Sequence, residues 1–306
     1  MKLSVALSTY NGEKYIEKQL QSILNQKLPV DEVVISDDGS TDSTIDIVNR
    51  FVKDNNLEQW TIHINRHNMG YAHNFIQTVL KTTGDIVFLC DQDDLWVNTK
   101  TEEIVRIFEQ HSNLWMLHTD IDLIDEQDKI ISSHYDKLKH GYKELSFDDY
   151  ARRLNYCGMA SAFRGDLRDA LANYDLIGIP THDWILGAIA CLEGVFATDD
   201  IVLSQRRKHS SNAELKHNNQ KASKADRIEY IELYNRFYKS LIKAIEHNKT
   251  DVTYEIDWLR RRVELNKKRI YCLENCKILS MIILIKDINL FPTPKAFISD
   301  IRYLFR

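Results

Sequence analysis

Glycine and proline are scarce, 10 and 4 in 306 residues, which excludes collagen-like repeats and proline-rich linkers. The five cysteines are scattered, and only Cys272 and Cys276 lie close together. An odd number without framework spacing argues against a disulfide scaffold and for a reducing compartment. On a predicted helix with no further ligand nearby, that pair reads as two structural thiols and not as zinc ligands. Long apolar runs are missing too. The uncharged run Ile278 to Ile285 has eight residues, against the roughly 20 that a membrane-crossing helix needs. The N-terminal run Leu3–Leu7 passes at once into Asn11-Gly12-Glu13-Lys14, too short for a secretory signal. A cytoplasmic location is expected. Basic charge is not in excess either, with 40 Lys and Arg against 45 Asp and Glu. A nucleic-acid binder should be basic where it grips phosphate, so no nucleic-acid partner is expected.

The net charge hides an asymmetry. Residues 213–306 carry 19 basic and 12 acidic residues, whereas residues 1–212 carry 21 and 33. An acidic body that collects carboxylates precedes a basic tail suited to something anionic. The length fits one large α/β domain with an appendage.

The first hundred residues alternate strand and helix. Strands are predicted at Leu3–Ser8, Val33–Ser36, Thr61–Ile64 and Ile86–Cys90, and helices at Glu13–Asn25, Asp42–Val52, Tyr71–Lys81 and Thr99–Gln110. Continuous apolar strands with helices between them indicate a mostly parallel sheet covered on both faces. Beyond Trp115 the pattern loosens. Strands are expected at Trp115–His118, Ile130–His134 and Ala160–Phe163, a helix at Asp183–Cys191, and a short closing pair at Val195–Thr198 and Ile201–Ser204. Ala222–His247 and Val252–Glu274 read as long charged helices.

Ligands of such sheets bind beyond the C-terminal strand ends, and every loop there is polar: Thr9-Tyr10-Asn11-Gly12-Glu13, Asp37-Asp38-Gly39-Ser40-Thr41-Asp42, Arg66-His67-Asn68-Met69-Gly70 and Asp91-Gln92-Asp93-Asp94. The second loop has turn chemistry, with Gly39 at positive φ and Ser40 or Asp42 capping the next helix. Turn chemistry alone does not explain two carboxylates closing a buried strand, where they can accept bonds from a base or from ribose. Neither a dinucleotide fingerprint nor a phosphate-binding Gly-Lys-Ser/Thr loop is present. In the fourth loop, three carboxylates within four residues repel one another unless a cation offsets them. Such oxygen ligands suit Mg²⁺ or Mn²⁺ with positions left open for phosphate.

Together with His182-Asp183-Trp184 and the segment Arg206–Asn212, these motifs resemble family 2 glycosyltransferases, and most of all a bacterial rhamnosyltransferase-like branch that builds surface polysaccharides. The likeness runs through about residue 210. It implies an inverting, metal-dependent enzyme of the GT-A (Rossmann-like) α/β fold with a helical C-terminal extension. The organisation that follows is a GT-A domain over 1–212, with a nucleotide-sugar half (1–110) and an acceptor half (111–212), and a helical extension over 213–306. The implied donor is a nucleoside-diphosphate sugar, UDP-hexose or dTDP-rhamnose, and the acceptor a glycan or a lipid-linked saccharide. By resemblance, Thr9, Tyr10, Asn11 and Asp38 or Asp37 line the nucleoside pocket, and Asp91 approaches the ribose or sugar with Asp94 nearby. Asp93 ligates the metal, and His209 meets the metal or the diphosphate. Asp183 matches the catalytic base. This sequence reads Gln205-Arg206-Arg207 where the family usually has Tyr-Arg, so Arg206 or Arg207 supplies the diphosphate contact.

Competing readings accompany these. Asp183 also suits the first turn of a helix, and His182 is a rival base. Trp96 and Trp184 either shape a sugar pocket or pack. His67, His73 and His118 are expected in ordinary polar contacts. The tail, with Arg260-Arg261-Arg262 and Lys267-Lys268-Arg269 before its apolar run, either packs on the core or a second subunit or docks on an anionic leaflet at the inner face of the membrane. Alternative functions are a sugar nucleotidyltransferase and a non-catalytic glycan-binding scaffold. The first lacks its usual basic glycine-rich loop here, and the second would not need Asp91, Asp93 and Asp183 together.

Overall fold

The computed structural model describes residues 1–209, 223–248 and 251–305. Ser210–Asn212, the end of the last motif and of the expected first domain, lie outside the described residues, as does Ala222 at the start of an expected helix.

Strands β1 (Leu3–Thr9), β2 (Glu32–Asp37), β3 (Trp60–Ile64) and β4 (Ile86–Asp91) alternate with helices α1 (Ile16–Leu24), α2 (Thr44–Asp54) and α3 (Tyr71–Lys81). After β4 come β5 (Leu95–Trp96), α4 (Lys100–Gln110), β6 (Leu114–Ile124), β7 (Ile130–Ser132), β8 (Lys143–Leu145), α5 (Phe147–Arg153), β9 (Ser161–Arg164), α6 (Gly165–Leu171), α7 (His182–Glu193) and β10 (Val195–Arg207). All seven residues of β1 are buried, as a central strand covered on both faces requires. The helices bury one stripe each, such as Ile16, Leu20 and Ile23 of α1.

The sheet order is β3-β2-β1-β4-β9-β6-β10-β5. β3, β2, β1 and β4 are mutually parallel, β9 runs antiparallel between β4 and β6, and β10 is parallel to β6. The chain steps outward from β1 to β3 and then returns to place β4 on the other side of β1. That reversal opens a crevice at the carboxyl ends of β1 and β4. Register sets its floor, with Thr9 opposite Asp37 and Ser8 opposite Asp91.

Four differences from the sequence expectation have physical causes. The expected closing pair is one strand, β10, with register shifts between Asp199 and Ser204; the bulge lets polar residues interrupt the strand without ending it. β6 runs on past His118 because the buried Asp120 carboxylate accepts from the backbone N–H of Asp136 (3.0 Å) and Leu138 (3.2 Å). β5, β8, α5 and α6 are too short to show a period. Cys276 lies past the end of the second long helix at positive φ, so it does not share a helical face with Cys272.

Two compact units emerge: residues 1–146, 155–172 and 181–209, and residues 147–154, 173–180 and 210–306. The second holds α5 with α8 (Lys224–Asn248), α9 (Thr253–Glu274), α10 (Ile278–Ile283), a 3₁₀ stretch (Leu284–Leu290) and α11 (Pro294–Tyr303). Segments 147–154 and 173–180, expected in the acceptor half, therefore cluster with the C-terminal helices. The Tyr234 and Tyr238 hydroxyls donate to the Arg153 and Ala151 carbonyls at 2.6 and 2.7 Å. Inside this unit the buried Asp300 carboxylate accepts from Arg227 and Arg269, each at 2.7 Å, joining α8, α9 and α11. Among the described residues no helix is long and apolar enough to cross a membrane.

Candidate active site

The first two loops interlock. Asn11 N–H donates to Ser40 Oγ and Thr41 N–H to Asn11 Oδ1, both at 2.8 Å. Gly12 N–H reaches Thr44 Oγ1 at 2.7 Å, and Glu13 accepts from Ser43 N–H at 2.9 Å. Gly39 has φ +83°, the left-handed conformation its turn requires. Asp37 is fully buried, and its carboxylate accepts from Gly39 N–H (3.1 Å), Ser40 N–H (2.8 Å) and Ser40 Oγ (2.5 Å). It therefore builds the turn behind any ligand. Asp42 binds Thr44 just before α2, whereas Ser40 serves the first loop.

Asp38 is also buried, and it accepts from Asn65 Nδ2 (2.9 Å), Met69 N–H (2.8 Å) and Gly70 N–H (2.9 Å). It holds the loop after β3 against the strand ends. Asn74 of α3 completes this network by donating to Ser8 Oγ and the Ser36 carbonyl at 2.7 and 2.8 Å. Asn74 was not singled out in the sequence; a polar residue on the buried face of an amphipathic helix was the available signal.

Gln92 is the clamp of the first loop. Its Oε1 accepts from Thr9 Oγ1 (2.6 Å) and Tyr10 N–H (2.8 Å), and its Nε2 donates to the Tyr10 carbonyl at 3.0 Å. Tyr10 itself is 46% exposed at the crevice mouth. A Cβ on Gly12 would stand 2.2 Å from Gln92 Oε1. Gly12→Ala should evict this flexible side chain and cost about 1–3 kcal/mol of stability, since each lost hydrogen bond is worth about 0.5–1.5 kcal/mol. Urea unfolding of the variant checks this, and an unchanged midpoint would refute the clamp.

The acid cluster follows directly from β4. Burial, then the Asp93 charge, push Asp91 up to about 7; Asp183 adds to this, while His182 and Arg206 oppose it. Asp94 is raised well above the carboxylate range by burial, then by Asp93 and Asp91, with the Arg207 N–H (2.9 Å) working against the rise. His209 Nε2 lies 2.7 Å from Asp93 Oδ2, and its ring is 5.1 Å from that of Tyr15. Carboxylates crowded enough to suppress one another's ionisation, beside an imidazole, are a donor set that fits a divalent cation of the Mn²⁺ or Mg²⁺ kind.

The two arginines at the end of β10 separate by strand alternation. Arg207 is buried and knits the turn, with Nε donating to the Asp93 carbonyl and Nη1 to the Asp125 carbonyl, both at 2.9 Å, and with an ion pair to Asp128. Arg206 is the one whose charge acts on Asp91 and Asp94. Beneath them Lys100 is fully buried, donating to the Met159 carbonyl (2.7 Å) and Ser204 Oγ (2.8 Å). Its ammonium lies 4.3 Å from the centre of the Trp96 ring. Trp96 is 5% exposed, so it packs in the core.

Asp183 occupies the first turn of α7. His182 Nε2 is 2.6 Å from its Oδ1. The His182 ring stacks on Phe75, with centroids 3.9 Å apart. The His182 side chain is 6% exposed and that of Asp183 13%. Gly158 makes room, since a Cβ there would lie 2.4 Å from Asp183 Oδ1 and 2.9 Å from His182 Nε2. Of the other histidines, His67 and His73 are exposed. His118 is buried between Ser161 Oγ (3.2 Å) and Asp136 Oδ2 (3.0 Å), with the Cys157 thiol in the same group.

Comparison with known proteins sets this geometry among relatives. The chain is 33% identical over 131 residues to an uncharacterised glycosyltransferase of Nostoc sp., covering 43% of this chain and 40% of that one. It is 35% identical over 121 residues to the poly(ribitol-phosphate) β-N-acetylglucosaminyltransferase TarS of Staphylococcus aureus, covering 38% of this chain and 21% of that one. A third relative, the putative teichuronic acid biosynthesis glycosyltransferase TuaG of Bacillus subtilis, is 29% identical over 147 residues, covering 48% and 56%. The chain thus spans less than half the length of the first two. Among solved structures, S. aureus TarS 1–349 with UDP-GlcNAc superposes with a TM-score of 0.60 at 17% identity, over 99% of this chain and 90% of that one. The mannosyltransferase PcManGT of Pyrobaculum calidifontis, with GDP-Man and Mn²⁺, gives 0.63 at 18% identity, over 99% and 84%. These likenesses establish the GT-A fold. The model described as "Glycosyl transferase family 2" matches residues 4–171, from the first strand through α6, and over that stretch, more than half of its length, the chain belongs to glycosyl transferase family 2.

Proposed function

We propose that the chain transfers a sugar, with inversion, from a nucleoside-diphosphate sugar to a hydroxyl of a saccharide or lipid-linked acceptor in the synthesis of a bacterial surface polymer. The observation that carries this reading is geometric: register sets Thr9 beside Asp37 and Ser8 beside Asp91, His209 lies 2.7 Å from Asp93, and Asp183 and His182 lie against Gly158 beside Leu89 of β4. A diphosphate-binding acid corner and a separate carboxylate suited to proton removal then share one crevice. The UDP-GlcNAc and GDP-Man bound by the solved neighbours support the donor class, and the names of TarS and TuaG support a wall polymer.

The clamped loop of Thr9, Tyr10 and Asn11 holds the base and ribose, with Asp38 fixing the loop that closes their far side and Asp37 shaping the turn. Asp93 and His209 would hold the cation, with Asp91 and Asp94 beside them. When bound, that ion neutralises charge developing on the departing diphosphate. Arg206 offers the same phosphates a fixed positive charge. Asp183, held by His182, accepts the acceptor hydroxyl's proton as its oxygen attacks the anomeric carbon from the face opposite the diphosphate. One carboxylate suffices because no sugar–enzyme bond forms.

A donor screen tests this reading. With Mn²⁺ or Mg²⁺ and a mixed set of saccharide acceptors, one of the UDP-, dTDP- or GDP-sugars should be consumed with release of its nucleoside diphosphate. Silence across all donors would overturn it.

A further inference from the structure

The C-terminal unit displays its apolar run outward. Between Ile278 and Ile285 only Met281 and Leu284 are buried, at 0% and 4% exposure. Leu279 is 78% exposed, Ile283 60%, Ile285 57% and Ile282 46%. Single exposed leucines are ordinary on protein surfaces, but a contiguous group of this kind marks an interaction site. The sequence supplies more apolar residues than this short helix buries, on both of its faces.

The surroundings of the patch are cationic. A cavity of about 440 Å³ between α9 and α10 has Ile283 and Tyr271 on its walls and Lys267, Lys268 and Lys286 among its lining residues. Lys277, at the start of α10, is exposed as well. Among the described residues, Lys267 is the one of these four lysines that pairs with a neighbouring acid, Glu264, at 2.6 Å. Residues 213–306 carry a formal excess of seven positive charges, so the local pattern agrees with that of the whole segment.

We infer that this face of α10, with its lysine rim, docks peripherally on an anionic bilayer. The isoleucines and Leu279 enter the boundary between headgroups and acyl chains, and the lysines meet the lipid phosphates. A second copy of the chain fits less well. Isologous pairing of this face would set lysine against lysine, whereas a bilayer of acidic lipid offers apolar depth and negative charge together. The helix is too short to cross, so the contact is one of surface insertion. This inference does not depend on the transfer chemistry.

Flotation of the full-length protein with vesicles tests it without any donor. At low salt, vesicles of phosphatidylcholine with about a third phosphatidylglycerol should carry the protein upward, and pure phosphatidylcholine vesicles should carry at least several-fold less. Leu279→Asp/Ile283→Asp should abolish flotation, and Lys268→Gln/Lys286→Gln should reduce it several-fold. All four positions are exposed, so an unchanged circular dichroism spectrum is expected and confirms that folding is intact. The inference falls if the wild type ignores anionic vesicles or if the double aspartate variant floats equally well. It falls as well if that variant instead changes the sedimentation mass from dimer to monomer, which would assign the face to a second copy.

Discussion

Asp183→Asn should lower kcat by about 10²–10⁴-fold, the range typical of losing a general base, while leaving the KM for the donor nearly unchanged. The amide keeps the size of the carboxylate and still offers an oxygen to His182, whose Nε2 lies 2.6 Å from Oδ1 in the parent. What it loses is the capacity to hold a proton. Substitution of His182 gives a different result if that residue only positions the acid. His182→Gln retains a donor near Asp183 but loses the stack on Phe75, and a partial loss of kcat with a retained pH profile is expected. Initial rates over a donor series at saturating acceptor separate the two cases. An Asp183→Asn enzyme within about tenfold of the parent rate would remove the residue from the role of base.

Asp93→Ala should cost at least about 10²-fold in kcat/KM and should uncouple nucleotide binding from the cation, since a Lewis acid at a developing phosphate charge supplies several kcal/mol. The substitution removes the oxygen that His209 approaches at 2.7 Å, so the imidazole loses its partner along with the ion. Calorimetric titration with UDP or GDP, with and without Mn²⁺, is the direct measurement. The parent should bind the nucleotide more tightly with the ion present and melt at a higher temperature in its company, and the variant should show neither effect. Undiminished turnover in the variant would place the cation, and with it the diphosphate, elsewhere.

Much of this site was visible in the sequence because it lies where continuous apolar strands stop. β1, β2 and β4 read plainly from burial on both faces, and the residues that close them, Thr9, Asp37 and Asp91, gather at one sheet edge through register. What the sequence could not separate were neighbours of like chemistry. Asp37 and Asp38 are adjacent carboxylates, yet one builds its own turn and the other restrains a loop about thirty residues away. Arg206 and Arg207 differ only in which side of β10 they occupy, and that depends on a bulge with no signature of its own. Gln92 and Gly158 act through close approach to residues far along the chain. No local pattern could have announced either.

The pairing of His209 with Asp93 spans 116 positions, and that of the Arg207 N–H with Asp94 spans 113. Both contacts need β10, the last strand among the described residues, in place beside the turn after β4. The acid corner is therefore complete only once the last strand of the sheet has formed. A nascent chain that has finished β4 but not β10 holds an acidic turn with neither its histidine nor its arginine.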